Sequence, residues 1–282
     1  MFKRVITIAL ATTAVLWTFW ILQSGADDFE WRRFGISNGY EVFSGDYWTL
    51  LSSLFAHVDP LHLLFNVYWL YLLGGYAEEH YGRRFYILLV LISGFCASTL
   101  ELSFTGSTGV GLSGVLYAIF GFLWGETLFT KVPIEVLPKP RVWLFLAWLL
   151  FCIGLTESGV MAIGNVAHFT GLVIGLSTAF ARSSRRLAAR LLIPGVVGFC
   201  GVAIFYSPWS YVWLASRAIR AHEAGKWADA ERYYSSILER EPNAGWALEN
   251  RGNIRIYLGR ESEGNADLSL AKGTSEAHRP GR

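Results

Sequence analysis

Four side chains in this sequence have the types and spacing for acyl-transfer chemistry. Ser113 stands between Gly111-Leu112 and Gly114, opening the apolar run Leu112 to Phe129. Flanking glycines permit a sharp turn and close approach of a substrate, and a helix start offers free N–H groups to a developing negative charge. His62 and Asn66 are four residues apart, on one helical face about one turn from each other. His168 lies within Ala167-His168-Phe-Thr-Gly171-Leu-Val-Ile-Gly175. One hydroxyl, two imidazoles and a carboxamide are the material of a serine nucleophile, a histidine base and an oxyanion site. His168 would take the proton of Ser113 and return it to a leaving amine. His62, Asn66 and the backbone N–H of Ser113 would hold the oxyanion. No acid is spaced to complete a triad, so a Ser–His dyad is expected, with Tyr117, one turn after Ser113, stacking on His168 in place of a carboxylate. Each residue alone has a plainer use: Ser113 as a helix cap, either histidine as a helix–helix hydrogen-bonding group. A metal site is disfavoured, because no His-Glu-x-x-His occurs and no Asp or Glu lies near His168. His57, His80, His222 and His278, at span ends or in the tail, look incidental.

The elements that carry these residues are membrane spans. The chain of 282 residues is 53% hydrophobic and only 16% charged, against about 25% charged in soluble domains, and its mean hydropathy is +0.36. The deficit comes from long apolar runs, which predict an all-α, polytopic membrane helical bundle. Six spans are expected: Val5 to Leu22, Pro60 to Gly75, Phe85 to Phe104, Leu112 to Phe129, Val142 to Leu155 and Asn165 to Ala181. The first follows Met1-Phe-Lys-Arg without a clean cleavage site and is expected to be retained. Asp59-Pro60 caps the second, Gly74-Gly75 ends it, and Glu78 to Arg84 forms a charged loop. Leu191 to Tyr206 is a seventh apolar run, short for a span but flanked by Trp209, Tyr211 and Trp213 as an interfacial belt. Eleven basic residues fall in loops on the N-terminal side and only Arg32 and Arg33 on the other. That bias makes the N-terminus cytoplasmic and turns the loops before Ser113 and before the sixth span outward. Polar residues at membrane depth are costly, so Ser113, His62, Asn66 and His168 gain weight from their setting. Gly121 with Gly125, and Gly171 with Gly175, give the fourth and sixth helices matching small faces for close packing.

The expected divisions are 1–182 as the membrane core, 183–213 as a basic linker with the seventh transmembrane helix, 214–272 as a small α-helical tail and 273–282 as a disordered end. In the tail, Gly259-Arg260 repeats Gly225-Lys226 after 34 residues and Leu268 repeats Tyr234. That period resembles a tetratricopeptide repeat. One full repeat and a partial one would pack on the membrane domain, dimerise, or order on a protein partner. If the seventh run spans, the tail lies on the side of Ser113. If it does not, the tail is cytoplasmic. The net charge of +2 is too small to suggest a nucleic-acid partner, and none is expected. Cys96, Cys152 and Cys200 each sit in an apolar run and read as packing residues.

Taken together, Gly111-Leu-Ser113-Gly114, His62-Leu-Leu-Phe-Asn66 and the His168 motif, in order on the second, fourth and sixth spans, resemble the rhomboid intramembrane serine proteases. The resemblance covers roughly residues 45 to 182. It implies a six-helix core and a serine-type endopeptidase that cleaves transmembrane protein substrates near the outer membrane surface without metal, nucleotide or other cofactor. It implies Ser113 as nucleophile, His168 as base, His62 and Asn66 at the oxyanion, Tyr117 packed on the histidine, and Glu78 after Gly74-Gly75 as a structural glutamate. Gly111, Gly114, Gly171 and Gly175 fall in its motifs. Many members carry Trp-Arg fourteen residues before the oxyanion histidine, where this chain has Trp48-Thr49. Arg32 and Arg33, next to Trp31, stand in a different register. Substrate entry is expected between the second and fifth helices or under the loop Thr156 to Gly164. Two other classes stay open: a catalytically silent rhomboid-like binding module, opposed by the presence of both Ser113 and His168, and a transporter or channel, opposed by the lack of inverted repeats and mid-span charge. Short loops and N-terminal charge point to a bacterial inner membrane.

Overall fold

Twenty apolar residues at 1.5 Å each make about 30 Å, the thickness of a bilayer's hydrocarbon core, and the first helix, α1, runs Val5–Ser24. The computed structural model describes residues 4–25, 31–57, 59–184 and 186–274. Among these residues no β-strand occurs. The protein is a polytopic helical membrane bundle with a helical tail, divided into two units: Met1–Ser37 with Tyr47–Ile204, and Asn38–Asp46 with Phe205–Arg282.

The elements of the two units, in chain order, are α2 (Gly39–Ser44), α3 (Thr49–Ser52), α4 (Pro60–Trp69), α5 (Gly75–Tyr81), α6 (Arg83–Thr105), α7 (Ser113–Thr130), α8 (Lys139–Glu157), α9 (Asn165–Ser183), α10 (Leu187–Phe205), α11 (Tyr211–Glu223), α12 (Trp227–Leu238), α13 (Gly245–Tyr257) and α14 (Glu261–Gly273). In the first unit, α1, α6, α8 and α10 are long and apolar enough to cross a membrane. Helices α7 and α9 are interrupted by glycines and polar residues. They are covered by protein instead, and pack most extensively on each other and on α6. Their contact is backbone on backbone. A Cβ on Gly171 would fall on the carbonyl oxygen of Gly114, and one on Gly175 on that of Ala118. Around this crossing lie buried Leu70, Leu73, Tyr86, Val115, Ile119, Phe120 and Phe122.

Several helix boundaries differ from the sequence expectation. The second span does not stop at Gly74-Gly75. It passes through a π-type turn at Leu70–Gly74 and continues to Tyr81, ending at Gly82 with φ +86°. Gly74 and Gly75 are packing positions: a Cβ there would strike the Tyr86 hydroxyl and the Arg4 side chain. Glu78 is therefore in a helix. It is buried, and accepts the backbone N–H groups of Ile6 (2.9 Å) and Thr7 (2.8 Å) and the Thr7 hydroxyl (2.9 Å). Arg4 supplies no capping side chain to α1, so Glu78 satisfies its first turn from across the bundle. The fifth span, α8, has 19 residues. So does α10, which begins at Leu187 and takes in Arg190 from the expected basic linker.

The second unit is two helical hairpins, α11–α12 and α13–α14, plus α2. Each helix of the second hairpin begins 34 residues after its counterpart, Tyr211 to Gly245 and Trp227 to Glu261. Buried Trp213, Leu214, Tyr234, Ile237, Trp246, Leu248 and Ile254 form its interior. Arg251 grips Asp267 through two bonds of 2.8 Å, and Arg255 reaches Asp267 at 3.0 Å and Glu231 at 2.9 Å. Arg260 also pairs with Glu231. The short helix α2, closed by an Asn38–Glu41 capping box, packs on α11 with Val42 and Phe43 buried. Tyr40 lies near Glu223 and Arg220 of α11, and burial pushes its phenol above the usual value. Helix α14 continues through Gly273, and residues 275–282, with most of the expected disordered end and His278, lie outside the described residues.

Candidate active site

The site starts with a loop that only glycine can make. Gly111 has φ +98°, a region that L side chains rarely adopt. A Cβ there would sit 2.8 Å from Cε1 and 2.9 Å from Nε2 of His62, and 3.3 Å from Nδ2 of Asn66. The close approach and the backbone angle demand glycine independently. The N–H of Gly111 donates to the carbonyl of Ser53 (3.1 Å), which ties the loop to the turn before α4. Two residues later the chain enters α7 at Ser113. Leu112 offers no capping side chain there, so nothing at the cap competes for the first-turn N–H groups.

Helix α9 brings His168. Nε2 of His168 lies 2.7 Å from Oγ of Ser113. The imidazole is buried, and its Nδ1 has no hydrogen-bond partner among the described residues. The Tyr117 ring packs on it with centroids 4.8 Å apart and planes tilted by 33°. The Tyr117 hydroxyl donates to the carbonyl of Phe145 on α8 (3.1 Å), which holds that ring in turn. Gly114 is wedged between α6 and α9, where a Cβ would meet Cβ of Ala97 at 2.9 Å and the carbonyl of Ala167 at 3.3 Å.

Helix α4 brings His62 and Asn66. Asp59 caps it, accepting the backbone N–H of His62 (2.8 Å), and Pro60 follows at the first helical position. Asn66 is fully buried and its Nδ2 has no hydrogen-bond partner among the described residues. A buried, unpartnered amide donor is costly, and this one faces the loop that leads to Ser113. The structure thus gathers Ser113, His168, Tyr117, His62, Asn66, Gly111, Gly114, Gly171 and Gly175 in one region. Glu78 is not brought there; it serves the start of α1.

Two residues escaped the sequence reading. His57, taken as incidental, is buried with its ring edge-on to His62 at 4.8 Å, and its Nδ1 lies 3.3 Å from the Thr18 hydroxyl of α1 and 3.2 Å from the Phe55 carbonyl. It backs the His62 ring. No acid lies near His168 in sequence, but one reaches the residue before it in the fold. Glu101 of α6 is buried, and its Oε2 accepts the N–H of Ala167 (2.8 Å), the residue before His168. A carboxylate near the end of an apolar run was its only signal in sequence. Among the described residues no group of three His, Cys, Asp or Glu side chains comes together as a metal site.

The arrangement can perform nucleophilic acyl transfer: a hydroxyl bonded to an imidazole, beside a loop approached by an imidazole and an unpartnered amide. Comparison with known proteins gives the same direction. The Rhomboid domain family matches residues 44–185. The Rhomboid protease GlpG of Yersinia pestis (strain Pestoides F) is 34% identical over 143 residues, 49% of this chain and 50% of the relative. The Rhomboid protease GlpG of Serratia proteamaculans (strain 568) is 36% identical over 135 residues, 47% of each. The chain spans about half the length of the curated relatives it matches.

Proposed function

This chain belongs to the rhomboid family, and from that premise we propose that it is an intramembrane serine endopeptidase working through a Ser113–His168 dyad. The observation that carries the proposal is the 2.7 Å contact between Ser113 Oγ and His168 Nε2. Ser113 Oγ attacks the carbonyl carbon of the scissile peptide while His168 Nε2 takes its proton. The tetrahedral oxyanion is held by Asn66 Nδ2, His62 and the backbone N–H of Ser113. His168 then gives the proton to the leaving nitrogen as the C–N bond breaks. A water, deprotonated by His168, attacks the acyl-enzyme, and the serine ester opens with return of the proton to Oγ. Nucleophile, base and oxyanion donors all come from the chain, so the reaction calls for no cofactor. The substrates would be transmembrane proteins, cut near the outer surface, and the bacterial relatives support a bacterial inner membrane.

The topology follows from the same proposal. The distribution of basic residues supports a cytoplasmic N-terminus. The tail unit includes Asn38–Asp46, which follows the first span. From there to the tail the chain would cross at α4–α5, α6, α7, α8, α9 and α10, an even number that returns it to the same face. Without α10 the tail would emerge on the opposite face, away from α2. The length and apolarity of α10 support the crossing, so the tail is proposed to lie outside the cytoplasm, on the side of Ser113. The 34-residue spacing of its hairpins supports the tetratricopeptide-like reading and a protein partner for the tail.

The test is labelling of the purified protein by a fluorophosphonate. Wild type is expected to label, and Ser113→Ala and His168→Ala are expected not to. Folded wild type that fails to label would overturn the dyad and favour a catalytically silent binding module. Proteolysis unchanged in Ser113→Ala would also overturn it.

A further inference from the structure

Glu101 is a carboxylate that is 4% exposed, inside a helix long and apolar enough to cross a membrane. Such a group is costly unless it is held by specific partners. Its Oε2 accepts the N–H of Ala167 at 2.8 Å. It also lies 3.5 Å from where a Cβ on Gly164 would stand. Gly164 is the N-cap of α9 and has no side chain to offer, and Ala167 is the third residue of that helix. Glu101 therefore does across space what an N-cap Asp does within its own turn. On its other flank, Cγ of Glu101 lies 3.6 Å from where a Cβ on Gly109 would stand, in the loop that leads to Ser113. One side chain thus packs against the backbone just before the base and against the loop just before the nucleophile.

We propose that Glu101 is a positioning residue for the dyad, fixing the first turn of α9 so that His168 Nε2 meets Ser113 Oγ. The inference rests on the reading of Ser113 and His168 as nucleophile and base. Glu101 acts on the peptide N–H of Ala167 and not on the imidazole, so it is not a third triad member. Further along, α9 is locked to α7 at Gly171 and Gly175 whatever Glu101 does. Loss of the carboxylate would free only the first turn, where His168 sits. A shift of about 1 Å at reacting atoms costs as much as 100-fold in rate.

The experiment follows fluorophosphonate labelling of full-length protein over time at several probe concentrations, for wild type, Glu101→Gln, Glu101→Leu and Glu101→Asp. Gln keeps the acceptor oxygen at the same reach, and its maximal labelling rate is expected within about 3-fold of wild type. Leu fills the space without an acceptor, and Asp is one methylene short. Both are expected to label roughly 10- to 100-fold more slowly, with unchanged half-saturating probe concentration and unchanged final amplitude. A merely structural role would lower the amplitude, because fewer molecules fold, and leave the rate of the folded ones unchanged; that result overturns the proposal. Should the Leu variant fail to fold, the other two decide. Asp slower than Gln supports positioning by reach, and Asp equal to or faster than Gln refutes it. Wild type that does not label removes the dyad itself, whereas wild type and all variants labelling alike removes only the role of Glu101.

Discussion

Two glycine-mediated helix crossings in this molecule look alike in backbone and differ in everything else. In the membrane unit, α7 and α9 meet at Gly114, Gly171 and Gly175. In the tail, α13 and α14 meet at Gly252 and Gly264, where a Cβ on Gly252 would stand 2.9 Å from the Gly264 carbonyl, and one on Gly264 2.6 Å from that of Gly252. The tail crossing is sealed by ions that satisfy one another: Arg251 and Arg255 on Asp267, Arg255 and Arg260 on Glu231. The polar groups at the membrane crossing are fewer and not all satisfied. Ser113 and His168 share one bond, while Nδ1 of His168 and Nδ2 of Asn66 have none among the described residues. Lipid gives helices no hydrophobic reason to associate, so close packing of small residues does the work there. The polar groups are then left over for chemistry. The paired ions in the tail satisfy one another and read as structure.

The largest separation between the two crossings is expected from Ser113→Ala. It should lower proteolysis by about 10⁴-fold or more and leave the thermal unfolding of the tail unchanged. Asp267→Ala should do the reverse. It takes the bidentate partner from a partly buried Arg251 and is expected to destabilise the tail by about 1–3 kcal/mol, read by denaturant unfolding, with labelling of Ser113 retained. Asn66→Ala removes a proposed oxyanion donor and should reduce kcat by about 10²–10³-fold, about 2.7–4 kcal/mol, with little change in KM. Adding a methyl at each crossing sharpens the contrast. Gly171→Ala and Gly264→Ala should each destabilise their own unit by about 1–3 kcal/mol, and only the first should slow labelling. Acid gives the smallest effect. Arg260, with Arg255 beside it, holds the Glu231 carboxyl below the usual carboxylate range. A depressed folded pKa contributes stability above the unfolded value of about 4.3 and loses it as pH falls through the folded one. The tail's thermal midpoint should therefore be level down to about pH 5 and fall below it, less steeply in Glu231→Gln.

The chemistry-bearing residues were legible because polarity inside an apolar run needs a reason. Ser113, His62, Asn66 and His168 each stand out against long stretches of Leu, Val, Ile and Phe, and helical spacing puts His62 and Asn66 on one face. What was hidden is what folding brings from a distance. Glu101 is 66 residues from Ala167, and nothing local marks it as the cap of another helix. Gly74-Gly75 read as a stop, because a glycine that ends a helix and one that admits a neighbour's side chain look the same until Tyr86 and Arg4 are seen against them. The seventh helix looked short because Arg190 was counted as linker, whereas α10 carries that residue in its first turn. The embrace of α2 by the tail is a pairing of Asn38–Asp46 with residues beyond 205, and no periodicity announces it.

That pairing also orders events during biosynthesis. A domain assembled from an early segment and the last helices of the chain cannot close until everything between them has been inserted. Helix α2 would leave the translocation channel long before α11 exists, with Val42 and Phe43 uncovered. Its burial therefore reports completed topogenesis. With the topology proposed above, a protease added from the outer face should cut near Phe43 in chains arrested before α11 and spare that site in finished ones. On that topology the tail would close only after the crossing at α10.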